Sequence, residues 1–111
     1  MRLSDIKGER VFDVIADIID PIVSIASDEE AAGIFKPEKK PDGMDPYQFF
    51  VSRLKGSLPA LIRNHKDDFV AILSTINGVS KEEYTETLTL AKLMSDIVEL
   101  CTDREFKSFF A

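Results

Sequence analysis

Residues 9–27 read ERVFDVIADIIDPIVSIAS, and their spacing decides the fold class. Val11, Val14, Ile15, Ile18, Ile22 and Ile25 recur at three- and four-residue steps, the period of one helix face. Phe12, Ala16, Ile19 and Val23 widen that stripe. Asp13, Asp17, Asp20, Ser24 and Ser27 form one narrow polar line. A helix packed on one core shows a narrower apolar stripe, so this helix is expected to be covered on two sides. A second copy of the chain or a partner protein would cover the extra face.

Pro21 interrupts the segment and removes the bond to the carbonyl of Asp17. Two outcomes stay open: a kinked helix, or a break in which Asp20 caps a new helix with Pro21 in its first turn. Asp28, Glu29 and Glu30 end the segment or cap a short turn around residues 31–35.

The same period recurs downstream. Residues 36–43, KPEKKPDG, combine two prolines, charges and a glycine, and predict a flexible loop over about 36–45. Asp45-Pro46 reads as an N-cap followed by proline at the first helical position. Tyr47, Phe49, Phe50, Val51 and Leu54 follow, with Gly56 as the expected stop. Leu58, Leu61 and Ile62 form a short helix opened by Pro59. Asn64 is expected to cap the next helix, which Asn77-Gly78 ends. Ser80 and Glu83 fit a capping box. Tyr84, Leu88, Ala91, Leu93, Met94, Ile97, Val98 and Cys101 keep helical spacing, weakened around Thr85, Thr87 and Thr89. Thr102 and Glu105 read as a last cap, before Phe106, Phe109 and Phe110. No stretch alternates with a two-residue period. The expectation is one all-α domain over residues 1–111, with five or six helices and no β-sheet.

The 111 residues carry 14 basic and 20 acidic side chains, net −6. The net charge is −5 over residues 1–35, +4 over 36–66 and −5 over 67–111. Nucleic-acid binding needs clustered cations, so an acidic chain argues against it. Arg53, Lys55, Arg63 and Lys66 form the basic middle, next to Phe49 and Phe50. These four are candidates for meeting acidic surface on a partner or another copy. No run approaches the length of a membrane span, and no membrane partner is expected. The N-terminus lacks the apolar run of a signal peptide. With Cys101 as the single cysteine, no internal disulfide forms, and a cytoplasmic location is expected.

Catalytic and metal-binding patterns are missing from the sequence. His65 is the single histidine, has no Cys or second His at ligand spacing, and reads as a surface residue at a helix start. The paired carboxylates Asp13 with Asp17 and Glu82 with Glu86, and the run of Asp28, Glu29 and Glu30, sit on solvent-facing lines. The glycines stand alone, so no loop cradles a phosphate. The chain is expected to have no enzyme activity, cofactor or metal.

Three stretches together resemble a known family: DVIADIIDPIVSIASDEE (13–30), LIRNHKDDFVAILSTINGVSKEEY (61–84) and LTLAKLMSDIVELCTDREFKSFF (88–110). They look like a tail assembly chaperone of long-tailed bacteriophages or prophages of Gram-positive hosts. That resemblance implies a small helical protein of the host cytoplasm, absent from the finished virion. It implies binding to the tape measure protein, whose apolar helical segments are kept from aggregating, and recruitment of tail tube subunits. Self-association is expected from the residues, through the extra face of the first helix and the basic middle. It also implies a longer frameshifted product in many members. It marks no single functional residue. From the residues themselves, Phe12, Ile19 and Val23 are the first candidates for partner contact. The aromatic end of Phe106, Phe109 and Phe110 comes next. A small helical regulator or adaptor, antitoxin-like and without catalytic activity, is the alternative class.

Overall fold

A computed structural model of the chain describes residues 2–35 and 42–110. Among them are six α-helices and no strand: α1 (Arg10–Ala26), α2 (Glu29–Phe35), α3 (Pro46–Asn77), α4 (Lys81–Glu86), α5 (Leu90–Cys101) and α6 (Arg104–Ser108). A short 3-10 turn over Leu3–Asp5 precedes them. The all-α expectation holds. Most of the loop expected over 36–45 lies outside the described residues.

α3 is the spine, and α1 is the helix most extensively packed on it. Val14, Ile18, Ile22 and Ile25 of α1 meet Leu54, Leu58, Leu61, Phe69, Ile72 and Ile76 of α3 in one core. Burying an aliphatic side chain of this size contributes about 1.5–3 kcal/mol, so this interface dominates folding. α2, α5 and α6 close the remaining sides with Phe35, Ile97, Leu100, Cys101 and Phe106.

α1 runs unbroken through Pro21, so the chain keeps one helix where a break was the other option. Asp17, four residues back, is exposed, so water can reach the carbonyl that proline leaves without an N–H partner. The Asp28 carboxylate accepts the backbone N–H of Glu30 and Ala31 and opens α2. Asp45 accepts from the Gln48 N–H at 3.1 Å with Pro46 at the first position, as the sequence implies.

The boundaries inside α3 differ from expectation. Gly56 does not stop the helix, and Pro59 does not open a new one. The buried positions Leu54, Leu58 and Leu61 keep a single helical face across both residues, and that packing outweighs their local preferences. The discontinuity expected at Asn64 falls at His65, whose φ of −131° and ψ of 28° kink the helix. Gly78 ends α3 at a φ of +71°, donating its N–H to the carbonyls of Ser74 and Thr75. Left-handed backbone of this kind is why glycine stands there.

Ser80 accepts from the Glu83 N–H and opens α4. The threonine patch does break the helix: α4 ends before Thr87, and Thr89 caps α5 by accepting from the Lys92 N–H. α4 is tied to α5 by the Tyr84 hydroxyl, which donates to Asp96 at 2.7 Å. Burial and then this carboxylate push the Tyr84 hydroxyl well above its ordinary pKa.

The cap of α6 is Asp103, one residue beyond the expected Thr102. The Thr102 hydroxyl is occupied at the end of α5, donating to the Val98 carbonyl. Asp103 is buried and serves two elements. One carboxylate oxygen accepts from the Glu105 N–H at 2.8 Å. The other accepts from the N–H and the hydroxyl of Ser4, at 3.1 and 3.0 Å. Asp103→Ala is expected to cost about 2–3 kcal/mol, because a cap is lost and the Ser4 N–H loses its acceptor. Asp103→Asn keeps the cap acceptor and should recover part of that loss. Denaturant titration of the two variants measures both terms.

Candidate partner-binding face

Once α1 has buried one face on α3, a second apolar face is left over. At 100° per residue, Val14, Ile18, Ile22 and Ile25 occupy the arc facing the core. Beside it lies an arc carrying Ile15, Ile19, Phe12 and Val23. Beyond that lies the polar line of Asp20, Asp13 and Asp17. The middle arc faces solvent. Phe12 is 79% exposed, Val23 52% and Ile19 37%, and Val11 and Ile15 are also exposed. From Phe12 to Val23 the stripe runs about 16 Å along the helix. Outside α1, the exposed large apolar side chains among the described residues are Tyr47 and Leu90. Apolar side chains scattered singly need no explanation, but a contiguous set of five does.

At its N-terminal end the stripe opens into a groove of about 240 Å³. Val11 and Ile15 form one wall, and Leu3, Ile6 and Phe109 form the other. The groove exists because the Ser4–Asp103 bonds hold the 3-10 turn and α6 beside α1. The acidic border is clean: Asp13, Asp17 and Asp20 are all exposed, and Arg10 is the one basic residue of α1. Arg10 is drawn away to the Ile76 carbonyl at the end of α3.

The basic middle is divided by the fold. The half-buried Arg53 donates to the Gly33 carbonyl at 2.8 Å, covering the C-terminal turn of α2. Its guanidinium also lies 5.7 Å from the centre of the Phe49 ring. This side chain is a clamp between α2 and α3 rather than part of an open cationic patch. Lys55, Arg63 and Lys66 are exposed along α3. Lys66 borders a groove of about 150 Å³ between α3, α4 and α5, whose other lining includes Ile62, Val70, Leu88 and Leu93.

The aromatic end also differs from expectation. Phe106 is fully buried, so it is a core residue and not a partner contact. Phe35 stacks on Phe110 at 4.5 Å between ring centres and meets Phe106 edge-on at 5.4 Å. Phe109 and Phe110 are half-buried, and Phe109 keeps a side on the α1 groove. The Lys107 ammonium sits 4.0 Å from the centre of the Phe50 ring. The cluster fastens α6 to α2 and α3.

His65 corrects the sequence reading most sharply. It is 7% exposed, not a surface residue. Its Nδ1 lies 2.9 Å from an Asp68 carboxylate oxygen, and its Nε2 lies 2.8 Å from an Asp28 oxygen. The Ser24 hydroxyl donates to Asp68 at 2.7 Å, so the network joins α1, the α1–α2 connection and the kink of α3. Two ring nitrogens facing two acceptors need two N–H groups, which only the imidazolium has. Burial pulls the His65 pKa down, but the hydrogen bonds and charges of Asp68 and Asp28 outweigh it and raise it above 6.5. The His65 bond holds Asp28 below its ordinary 3.8, against burial and with help from the Ala31 and Glu30 N–H groups.

Cys101 is buried, and burial pushes its thiol up to about 12, away from nucleophilic use. Among the described residues, no group of three or more His, Cys, Asp or Glu is placed to hold a metal ion. No helix among them is long and apolar enough to cross a membrane. Comparison of the chain with protein families, characterised proteins and solved structures finds no match.

Proposed function

We propose that this protein is a tail assembly chaperone of the long-tailed bacteriophage type, acting in the host cytoplasm without catalysis. In this reading the exposed arc of α1 receives apolar helical segments of a tape measure protein. It keeps them soluble and helps to bring tail tube subunits onto them. The observation that carries the reading is the stripe of Phe12, Ile15, Ile19 and Val23 facing solvent beside an unbroken acidic border. The three resembling stretches supply the identity of the partner.

The physical fit is that of a helix laid into an apolar surface. The acidic border would keep the loaded complex soluble. Many copies along one long partner act through effective concentration, so each contact can be weak and reversible. Weak contacts suit a protein that leaves when the tube forms.

The test is co-production with the product of the very long gene expected beside this one. The chain should carry that product into the soluble fraction and co-purify with it. Phe12→Ser with Ile19→Ser should keep helical circular dichroism and a cooperative melt, and lose co-purification. A double variant that still co-purifies would place the contact elsewhere. A wild-type chain that leaves the long product insoluble would favour a small regulator or adaptor with a different partner.

A further inference from the structure

The exposed face of α1 has one apolar arc and a single charged border, and that asymmetry constrains what can lie on it. Going round the helix, the arc is bounded on one side by the core and the 240 Å³ groove, and on the other by Asp13, Asp17 and Asp20. The aspartates follow each other at steps of four and three residues, in register with Phe12, Ile15 or Ala16, and Ile19. A helix seated on the arc brings its own flanking residues beside this line along its whole length.

A second copy of α1 fits poorly. In an antiparallel pair related by a two-fold axis, the same flanks of the two helices meet. The aspartate line of one copy would then run along that of the other, and like charges so placed disfavour the pair. A parallel pair sets the line against the groove flank, where the charged lining residue is Glu105. Lys55, Arg63 and Lys66 on α3 are basic, but the exposed large apolar side chains outside α1 are only Tyr47 and Leu90 among the described residues. Lys66 borders the 150 Å³ groove of Ile62, Val70, Leu88 and Leu93, but those side chains are half-buried, so among the described residues no second exposed apolar stripe accompanies the cations.

We infer that the occupant of this face is an amphipathic helix whose apolar seam is bordered by lysine or arginine at alternating three- and four-residue steps. The inference rests on the reading of α1 as a helix-binding surface and adds the chemistry of what it binds. The apolar seam supplies the contact, and the cationic border supplies orientation and selection against acidic helices.

Two synthetic helical peptides of about 21 residues test it, long enough to cover the stripe. They share a leucine seam, and one carries lysines on its flanks where the other carries glutamates. Fluorescence anisotropy should show the lysine peptide bound at least about ten-fold more tightly at low salt. The ratio should shrink toward one at about 0.5 M salt, where exposed charges are screened. Asp13→Asn, Asp17→Asn and Asp20→Asn together should collapse the ratio. Glu29→Gln, Glu82→Gln and Glu86→Gln remove the same charge from exposed sites elsewhere and should leave it within about three-fold.

Equal binding of the two peptides overturns the inference and leaves the helix-binding reading standing. So does equal loss of selectivity in the two triple variants, which would reduce the preference to the net charge of the whole chain. Binding of neither peptide overturns the helix-binding reading itself, and the inference with it. Self-association in sedimentation that disappears in the Phe12→Ser, Ile19→Ser variant would make the occupant a second copy and overturn the inference. Intact circular dichroism in every variant separates lost binding from lost folding.

Discussion

Phe106→Ala should destabilise the fold by about 3–5 kcal/mol, the largest single-residue loss we expect in the chain. Phe106 is fully buried and touches the rings of Phe35 and Phe110, so truncation leaves a cavity against both. α6 is only five residues long and has little helical stability of its own. Its place depends on this ring and on Asp103. Small domains hold about 5–15 kcal/mol in all, so the variant loses a large fraction of its margin. The melting temperature should fall by about 15 °C or more. Phe106→Leu refills most of the volume and should cost about 1.5 kcal/mol or less. By contrast Phe12→Ala, at the exposed end of the α1 stripe, should leave stability within about 0.5 kcal/mol of the parent. Denaturant titration of the three variants decides whether aromatic residues of similar sequence context divide into core and surface as the fold places them.

His65 carries the second large effect, and it depends on pH. Asp68 on its own helix and Asp28 before α2 face the ring, Ser24 of α1 supports Asp68, and Glu30 borders the adjoining pocket. Because the folded pKa of His65 lies above 6.5, folding binds the proton more tightly than the unfolded chain does. The contribution is complete below pH 6.5 and fades as pH rises through the folded value. Asp28 acts at the other end. Its lowered pKa adds stability that is complete above pH 3.8 and fades as pH falls through the folded value. The melting temperature should therefore be highest at mildly acidic pH and decline as the pH rises above 6.5. His65→Ala should cost about 2–3 kcal/mol at pH 6, from two charge-assisted hydrogen bonds and buried packing. It should cost less at alkaline pH. His65→Gln should flatten the alkaline decline. A wild-type melting temperature unchanged as the pH rises above 6.5 would show that the ring titrates as an ordinary exposed histidine.

Local signals in the sequence proved reliable where one turn of backbone contains both partners. Asp45 with Gln48, Ser80 with Glu83, and Gly78 at its left-handed turn need no distant residue, and all are where the spacing puts them. The excess apolar width of α1 was also legible. One helix cannot bury Val14 and Phe12 on a single core, and Phe12, Ile19 and Val23 are left outside together with Val11 and Ile15. What the sequence concealed depends on long-range packing. Gly56 and Pro59 are helix breakers by local preference, yet Leu54, Leu58 and Leu61 form one face across them against α1 and α2. His65 looked solvated because its second carboxylate, Asp28, stands 37 positions earlier. Thr102 and Asp103 are both competent caps. The choice went to Asp103 because only the fold brings Ser4 to its second oxygen. Arg53 belongs with these, since its acceptor is a backbone carbonyl that no side-chain pattern reveals.

The bonds between Ser4 and Asp103 span 99 positions of chain, and that span orders the events of folding. Closing a loop of that length from an open coil costs about 4 kcal/mol in entropy before any contact rewards it. Two hydrogen bonds do not offset that cost in an early, disordered state. Once α1 lies on α3 and α5 has followed, most of the intervening chain is already fixed and the remaining gap is short. The two ends then meet as a latch, late in the sequence of events. When that latch opens, Leu3 and Ile6 part from Phe109 and the groove beside Val11 and Ile15 loses its far wall, while the α1–α3 core stays packed. The stripe on α1 thus rests on the α1–α3 core itself, while the groove at its tip depends on one long-range pair of bonds.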